Sequence, residues 1–192
     1  MRAKRGAGVT SVAVFCGSAS GNGQRYAAVA AALGRAIAER GCTLVFGGSN
    51  VGLMKIVADS ALEAGARVVG VIPTALVDRE LAHPRLHDLR IVTTMHDRKA
   101  LMASLADAFL ALPGGVGTLD ELFEMLTWTH LGFHAKPCAL VDPDGFFDPL
   151  IAFLDRAVEA GFVAPACRAA LLVGHAPAEV LDRCAAWIPA VR

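Results

Sequence analysis

Short, unbroken apolar runs alternate with longer segments of helical period along nearly the whole chain. Residues 12–16, 43–46, 67–72, 89–92, 108–112 and 138–141 read as strands, with a short seventh near 171–173. Between them the spacing predicts helices over 24–40, 51–64, 97–106, 118–131 and 147–161, and a last one from Pro177. Gly41 and Gly65 stand where the first two must stop. Residues 73–88 show no period and read as irregular. The strands do not alternate apolar with polar, as befits a sheet covered on both faces. The predicted class is α/β: a Rossmann-like, doubly wound parallel sheet with helices on both faces. With no repeat or linker in view, residues 11–192 read as one nucleotide-binding catalytic domain, and 1–10 as a flexible basic tail.

Composition narrows the partners. Of 192 residues, 55% are hydrophobic and 19% charged, so the chain has ample material for a core. Lys plus Arg and Asp plus Glu both total 18. That balance offers no basic surface to a nucleic acid. The five cysteines, at 16, 42, 138, 167 and 184, form no C-x-x-C pair. They read as reduced, mostly buried thiols of a cytoplasmic protein. Arg2, Lys4 and Arg5 before an apolar run imitate a signal peptide, but Thr10 and Ser11 break the run. No run approaches the ~20 apolar residues of a membrane span, so no membrane partner is expected.

The chemistry gathers at strand ends, where ligands bind in such sheets. Three of them are glycine-rich: CGSASGNG, FGGSNVG and PGGVGT. The last opens LPGGVGTLDELFE, residues 112–124, in which a strand turns into a helix through Gly114, Gly115 and Gly117. Such a turn aims backbone N–H groups and the positive helix end at one point, a phosphate cradle. Glu121 follows in the expected first turn. Two readings fit it: an acid beside the anion site, or the partner of Thr118 in a capping box. Known nucleotide fingerprints fail. The G-x-G-x-x-G pattern meets Asp120 after Gly115 and Gly117, and Tyr26 after Gly21 and Gly23. The P-loop spacing of Gly47 and Gly52 is followed by Leu53 and Met54 instead of Lys and Ser/Thr. His83 and His87 are four apart without a clear third ligand and read as exposed loop histidines, so no metal is expected. In TTMHDRK, residues 93–99, Thr94 or Asp97 can cap a helix, and Arg98 and Lys99 fall in its first turn. Cations there oppose the dipole. Met95, Arg98, Met102 and Leu105 share one face, so Arg98 points toward the apolar side; the plain reading is a surface Arg-Lys pair, and the favoured one is that Arg98 reaches an anion or substrate at the strand ends.

These residues carry a family resemblance. PGGVGTLDE resembles the P-G-G-x-G-T-x-x-E motif of the LOG ("Lonely guy") phosphoribohydrolases. MHDRK resembles that family's second motif, and GGSNVGLM its second glycine loop. The likeness runs from about residue 12 to 163. Family members cleave the N-glycosidic bond of nucleoside 5′-monophosphates, giving free base and ribose 5-phosphate; some were long labelled lysine decarboxylases, without a residue pattern here for a pyridoxal phosphate lysine. The resemblance implies Arg98 and Glu121 as the catalytic pair. It implies Gly115, Gly117 and Thr118 as the phosphate turn, with Gly114, Val116, Leu119 and Asp120 beside it. It also implies substrate contacts from Ser18, Gly48, Glu80, Met95, Lys99 and Thr127, no cofactor, and a homodimer. Two positions depart from the family pattern: Lys55 stands where glycine is usual, and Ser49 replaces a third glycine. In such a reaction positive charge builds on the sugar, and a carboxylate beneath it stabilises that charge and orients water. Arginine is a poor proton donor, so Arg98 is expected to act electrostatically. The alternative is a nucleotide or cofactor carrier on the same scaffold, without hydrolysis.

Overall fold

The computed structural model describes residues 8–80, 82–86 and 88–187. Residues 1–7 of the expected tail, and His87, lie outside them. Among the described residues seven strands make one parallel sheet: β1 (Ser11–Phe15), β2 (Thr43–Phe46), β3 (Val68–Pro73), β4 (Asp88–Val92), β5 (Ala108–Ala111), β6 (Cys138–Val141) and β7 (Leu171–Gly174). Their order is β4-β3-β2-β1-β5-β6-β7. Val12 of β1 sits beside Leu44 on one side and Ala108 on the other. The chain therefore winds outward from β1 in one direction, then in the other. Its switch point lies between the carboxyl ends of β1 and β5.

Among the described residues eight α-helices cover the sheet: α1 (Gln24–Glu39), α2 (Gly52–Glu63), α3 (Thr74–Glu80), α4 (Met95–Leu105), α5 (Val116–Leu131), α6 (Asp148–Glu159), α7 (Pro165–Ala169) and α8 (Pro177–Ala185). Successive strand residues face opposite sides. Val12 and Val14 of β1 join Leu33 and Ile37 of α1 and Val57 of α2. Ala13 and Phe15 join Met102 of α4 and Leu122 and Met125 of α5. Both faces of each central strand are thus buried, which is why these strands read as unbroken apolar runs. Phe109 and Leu110, neighbours on β5 with 0% exposure, face opposite layers. Each such burial contributes about 1.5–3 kcal/mol.

The structure corrects several of these expectations. Residues 74–80 are not irregular but form α3, and the five residues of α7 were missed as well. Both are too short to display a helical period. α4 starts at Met95, two residues early, because Thr94 caps it. The Thr94 hydroxyl accepts the Asp97 N–H (3.0 Å), and the Asp97 carboxylate accepts the Thr94 N–H (3.1 Å). Asp97 therefore occupies the first turn, and Arg98 and Lys99 follow beyond it. α5 also starts two residues early, at Val116, with Gly115 as its cap residue. Thr118 is then the third helical residue and cannot cap, and Glu121 belongs to the second turn. The capping-box reading of Glu121 falls.

Candidate active site

The phosphate cradle forms as β5 passes into α5. The bond from Leu119 N–H to Gly115 C=O (3.2 Å) opens the helix. The N–H groups of Val116, Gly117 and Thr118 therefore have no intrahelical acceptor and lie at the positive helix end. Gly115, Val116 and Gly117 are exposed, while Thr118 is buried. A Cβ on Gly114 would lie 2.1 Å from Thr118 Oγ1 and 2.8 Å from Gly17 N. Only glycine lets this turn close against the loop after β1. The two loops are tied by Gly17 N–H donating to Pro113 C=O (3.1 Å).

A cleft of about 260 Å³ opens beside this contact, between Gly17–Gly21 of the first loop and Pro113–Gly115 of the turn. Tyr26, Leu53 and Phe146 complete its walls. Tyr26 and Phe146 meet edge to face, with ring centres 5.7 Å apart. Phe146 is held by the turn after β6, where the buried Asp142 carboxylate accepts the Phe147 N–H (2.9 Å). The sequence reading missed Tyr26 and Phe146. Both follow strand ends on the ligand-binding edge, and an inventory of aromatic residues at that edge would have found them.

Arg98 is only 5% exposed. Its Nε–H donates to Val71 C=O of β3 (3.1 Å) and its Nη2 to Gly47 C=O beyond β2 (2.9 Å). A Cβ on Gly47 would lie 2.0 Å from that Nη2, so glycine is what admits the guanidinium. The expected aim of Arg98 toward the apolar side is met, and its charge sits at the carboxyl ends of the strands. Glu121 bears on the same place. Burial pushes the Cys16 thiol up; the Glu121 carboxylate pushes it further, and the Arg98 guanidinium opposes this. Cys16, just past β1, thus lies within the field of both charges.

The other expected contacts divide. Met95 is 42% exposed, with its sulfur 3.8 Å from Arg98 Nη1. Ser18 lines the cleft, and Gly48 is buried with its carbonyl taken by His83 N–H (3.0 Å). Lys99 points elsewhere: its ammonium meets Asp120 and Glu124 of α5, each at 3.0 Å. Burial alone would lower its pKa, but the two carboxylates outweigh that and hold it raised. Leu119 packs on the apolar layer beneath α5. Thr127 is exposed, about 13 Å further along α5 than Thr118 at the helical rise. Glu80 ends α3, and its side chain lies outside the described residues.

The second glycine loop holds one correction. His83 is not an exposed loop histidine. It is 3% exposed and bonded through Nε2 to Asp59 Oδ1 (3.0 Å). Lys55 does lie on the exterior of α2, paired with Asp59 one turn on. It leaves the loop itself intact. Ser49 is fully buried and pairs with Ala82 in an isolated antiparallel bridge.

Known proteins match this chain closely. A family model described as possible lysine decarboxylase matches residues 54–184. A cytokinin riboside 5′-monophosphate phosphoribohydrolase of Rhodococcoides fascians is 50% identical over 164 residues, covering 85% of this chain and 83% of that one. The corresponding LOG protein of Oryza sativa subsp. japonica is 43% identical over 178 residues, covering 93% and 74%. Among solved structures, the molybdenum cofactor binding protein of Rippkaea orientalis superposes with a TM-score of 0.67 at 20% identity, covering 90% of this chain and 93% of that one. At that identity the match speaks for the fold alone. Motifs, fold and relatives agree, and the chain belongs to the LOG family of cytokinin riboside 5′-monophosphate phosphoribohydrolases.

Proposed function

We propose that this protein hydrolyses the N-glycosidic bond of nucleoside 5′-monophosphates, AMP or prenylated AMP, to free base and ribose 5-phosphate. The observation that carries this reading is the open N-terminus of α5, with Glu121 in the second turn of the same helix and the buried Arg98 guanidinium held at the strand ends by Gly47 and Val71. The phosphate seats on the N–H groups of residues 116–118. The C1′–N bond breaks with its electron pair leaving on the base, and a water oxygen bonds to C1′. Glu121 faces the developing positive charge and takes up a proton from that water; the base gains a proton. Arg98, always charged and fixed by two carbonyls, sets the potential around the carboxylate.

Among the described residues the lysines give no support to amine chemistry. Lys55 and Lys99 are ion-paired, and Lys136 precedes β6, at the far end of the sheet from the site. A Schiff-base lysine must instead be available as a neutral amine. Purified protein given AMP or prenyl-AMP is expected to release the free base, by chromatography, with or without EDTA. No free base from either nucleotide at high protein concentration would favour the carrier alternative.

Assembly is part of the same reading. Leu131 is 53% and Phe133 72% exposed at the C-terminal end of α5. Together they offer an apolar patch that a second copy would cover. A homodimer by light scattering at micromolar concentration is expected, and Phe133→Glu should shift it to monomer. A wild-type monomer would remove this element. The single-domain assignment for 11–192 is supported by one sheet that takes strands from Ser11 to Gly174. No helix among the described residues is long and apolar enough to cross a membrane. The five cysteines are free thiols, which fits the reading of a cytoplasmic protein.

A further inference from the structure

We infer that Asp59 and His83 form a positioning pair for Arg98, acting through the second glycine loop. The inference rests on Arg98 being part of the reactive site, as proposed above. The Arg98 guanidinium is held at Gly47 C=O (2.9 Å). The next two residues of that loop are held from the other side: Gly48 C=O accepts His83 N–H (3.0 Å), and Ser49 pairs with Ala82. The segment 82–86 is therefore a clamp over the loop that cradles the guanidinium.

His83 is what fastens the clamp to the body of the protein. Its ring is buried, meets Phe46 of β2 edge-on (6.3 Å), and reaches Asp59 on α2. Nδ1 accepts the Arg85 N–H (3.4 Å), so Nε2 carries the proton and donates it to Asp59 Oδ1. Burial lowers the His83 pKa, with Asp59 opposing, and both ring nitrogens are satisfied in the neutral form. Asp59 also receives Lys55 and Arg85. Burial would raise this carboxyl, but those donors bring it down to about 2. It therefore stays an anionic acceptor for His83. The resulting chain of contacts runs from Asp59 through His83 and Gly48 to Gly47 and Arg98. Lys55, where the family usually has glycine, adds a further cation to the anchor.

Two breaking variants and one conservative variant test the pair. His83→Ala removes the ring, Asp59→Ala breaks the same bond from the partly exposed side, and His83→Gln keeps a donor toward Asp59. The first readout needs no catalysis. The Arg98 Nε–H, bonded to Val71 C=O, should give a slowly exchanging guanidinium signal in ¹⁵N NMR, assigned by its loss in Arg98→Lys. Exchange should speed up in His83→Ala and Asp59→Ala and stay slow in His83→Gln. The second readout is turnover of AMP. The breaking variants should lose about ten- to hundredfold in kcat with KM little changed, as a misplaced group does. That loss should vanish in an Arg98→Ala background, because the pair acts through Arg98. Unchanged exchange in both breaking variants overturns the inference, as does equal acceleration in His83→Gln. A kcat loss that persists without Arg98 also overturns it. If the wild type hydrolyses nothing, the functional reading fails, and the exchange data alone decide the positioning.

Discussion

Adenosine is expected to be hydrolysed with a kcat/KM roughly a thousandfold below that of AMP. The N–H groups of Val116, Gly117 and Thr118 have no intrahelical acceptor, and the helix end adds positive potential. Charge-assisted hydrogen bonds contribute about 1.5–3 kcal/mol each. Three at the low end give ~4.5 kcal/mol, about three powers of ten in kcat/KM. Water in place of the phosphate recovers part of this, so the figure is an upper range. The phosphate also anchors the ribose at the strand ends, so kcat should fall along with affinity. Inorganic phosphate should compete weakly. Initial rates with both substrates check this. Comparable kcat/KM for adenosine and AMP would make the glycine turn structural only, and the cradle argument would fail.

Glu121→Gln is expected to lose about 100-fold or more in kcat while retaining nucleotide binding, as loss of a transition-state contact does. The start of α5 at Val116 sharpens this expectation. With Gly115 at the cap and Glu121 in the second turn, the substitution removes no helix cap, and Tm should stay near that of the wild type. Loss of a true cap would cost about 1 kcal/mol. Arg98→Ala is a less clean test. It strands the carbonyls of Gly47 and Val71 in a buried place, so it should lower both kcat and Tm. Single-turnover rates and thermal melts of the two variants separate the roles. Near-normal turnover in Glu121→Gln would remove Glu121 from the chemistry.

Sequence alone determined the layers, because local patterning carries that information. The apolar runs of β1, β2, β3, β5 and β6 are continuous since each strand is buried on both faces, and that is visible residue by residue. The glycine-rich strand ends and the likeness to the LOG motifs were legible for the same reason: they are spacings along one chain, and Arg98 and Glu121 were singled out as a pair only through that likeness. What only the tertiary structure decided were contacts between distant segments and the first residues of helices. PGGVGT permits a helix start at Val116 or at Thr118, and the folded chain takes the earlier one, with Gly114 closed against Gly17 of the loop after β1. Lys99 carries the same charge as Arg98 one residue away. Yet the helical rotation of about 100° per residue sends one to the strand ends and the other to Asp120 and Glu124. His83 had no periodic neighbours to mark it as buried. Its partner Asp59 lies 24 residues earlier, and nothing local encodes that meeting. The Tyr26–Phe146 wall of the cleft joins residues that follow β1 and β6. Those strands flank β5, and the order in which strands assemble in the sheet is a property of the folded whole.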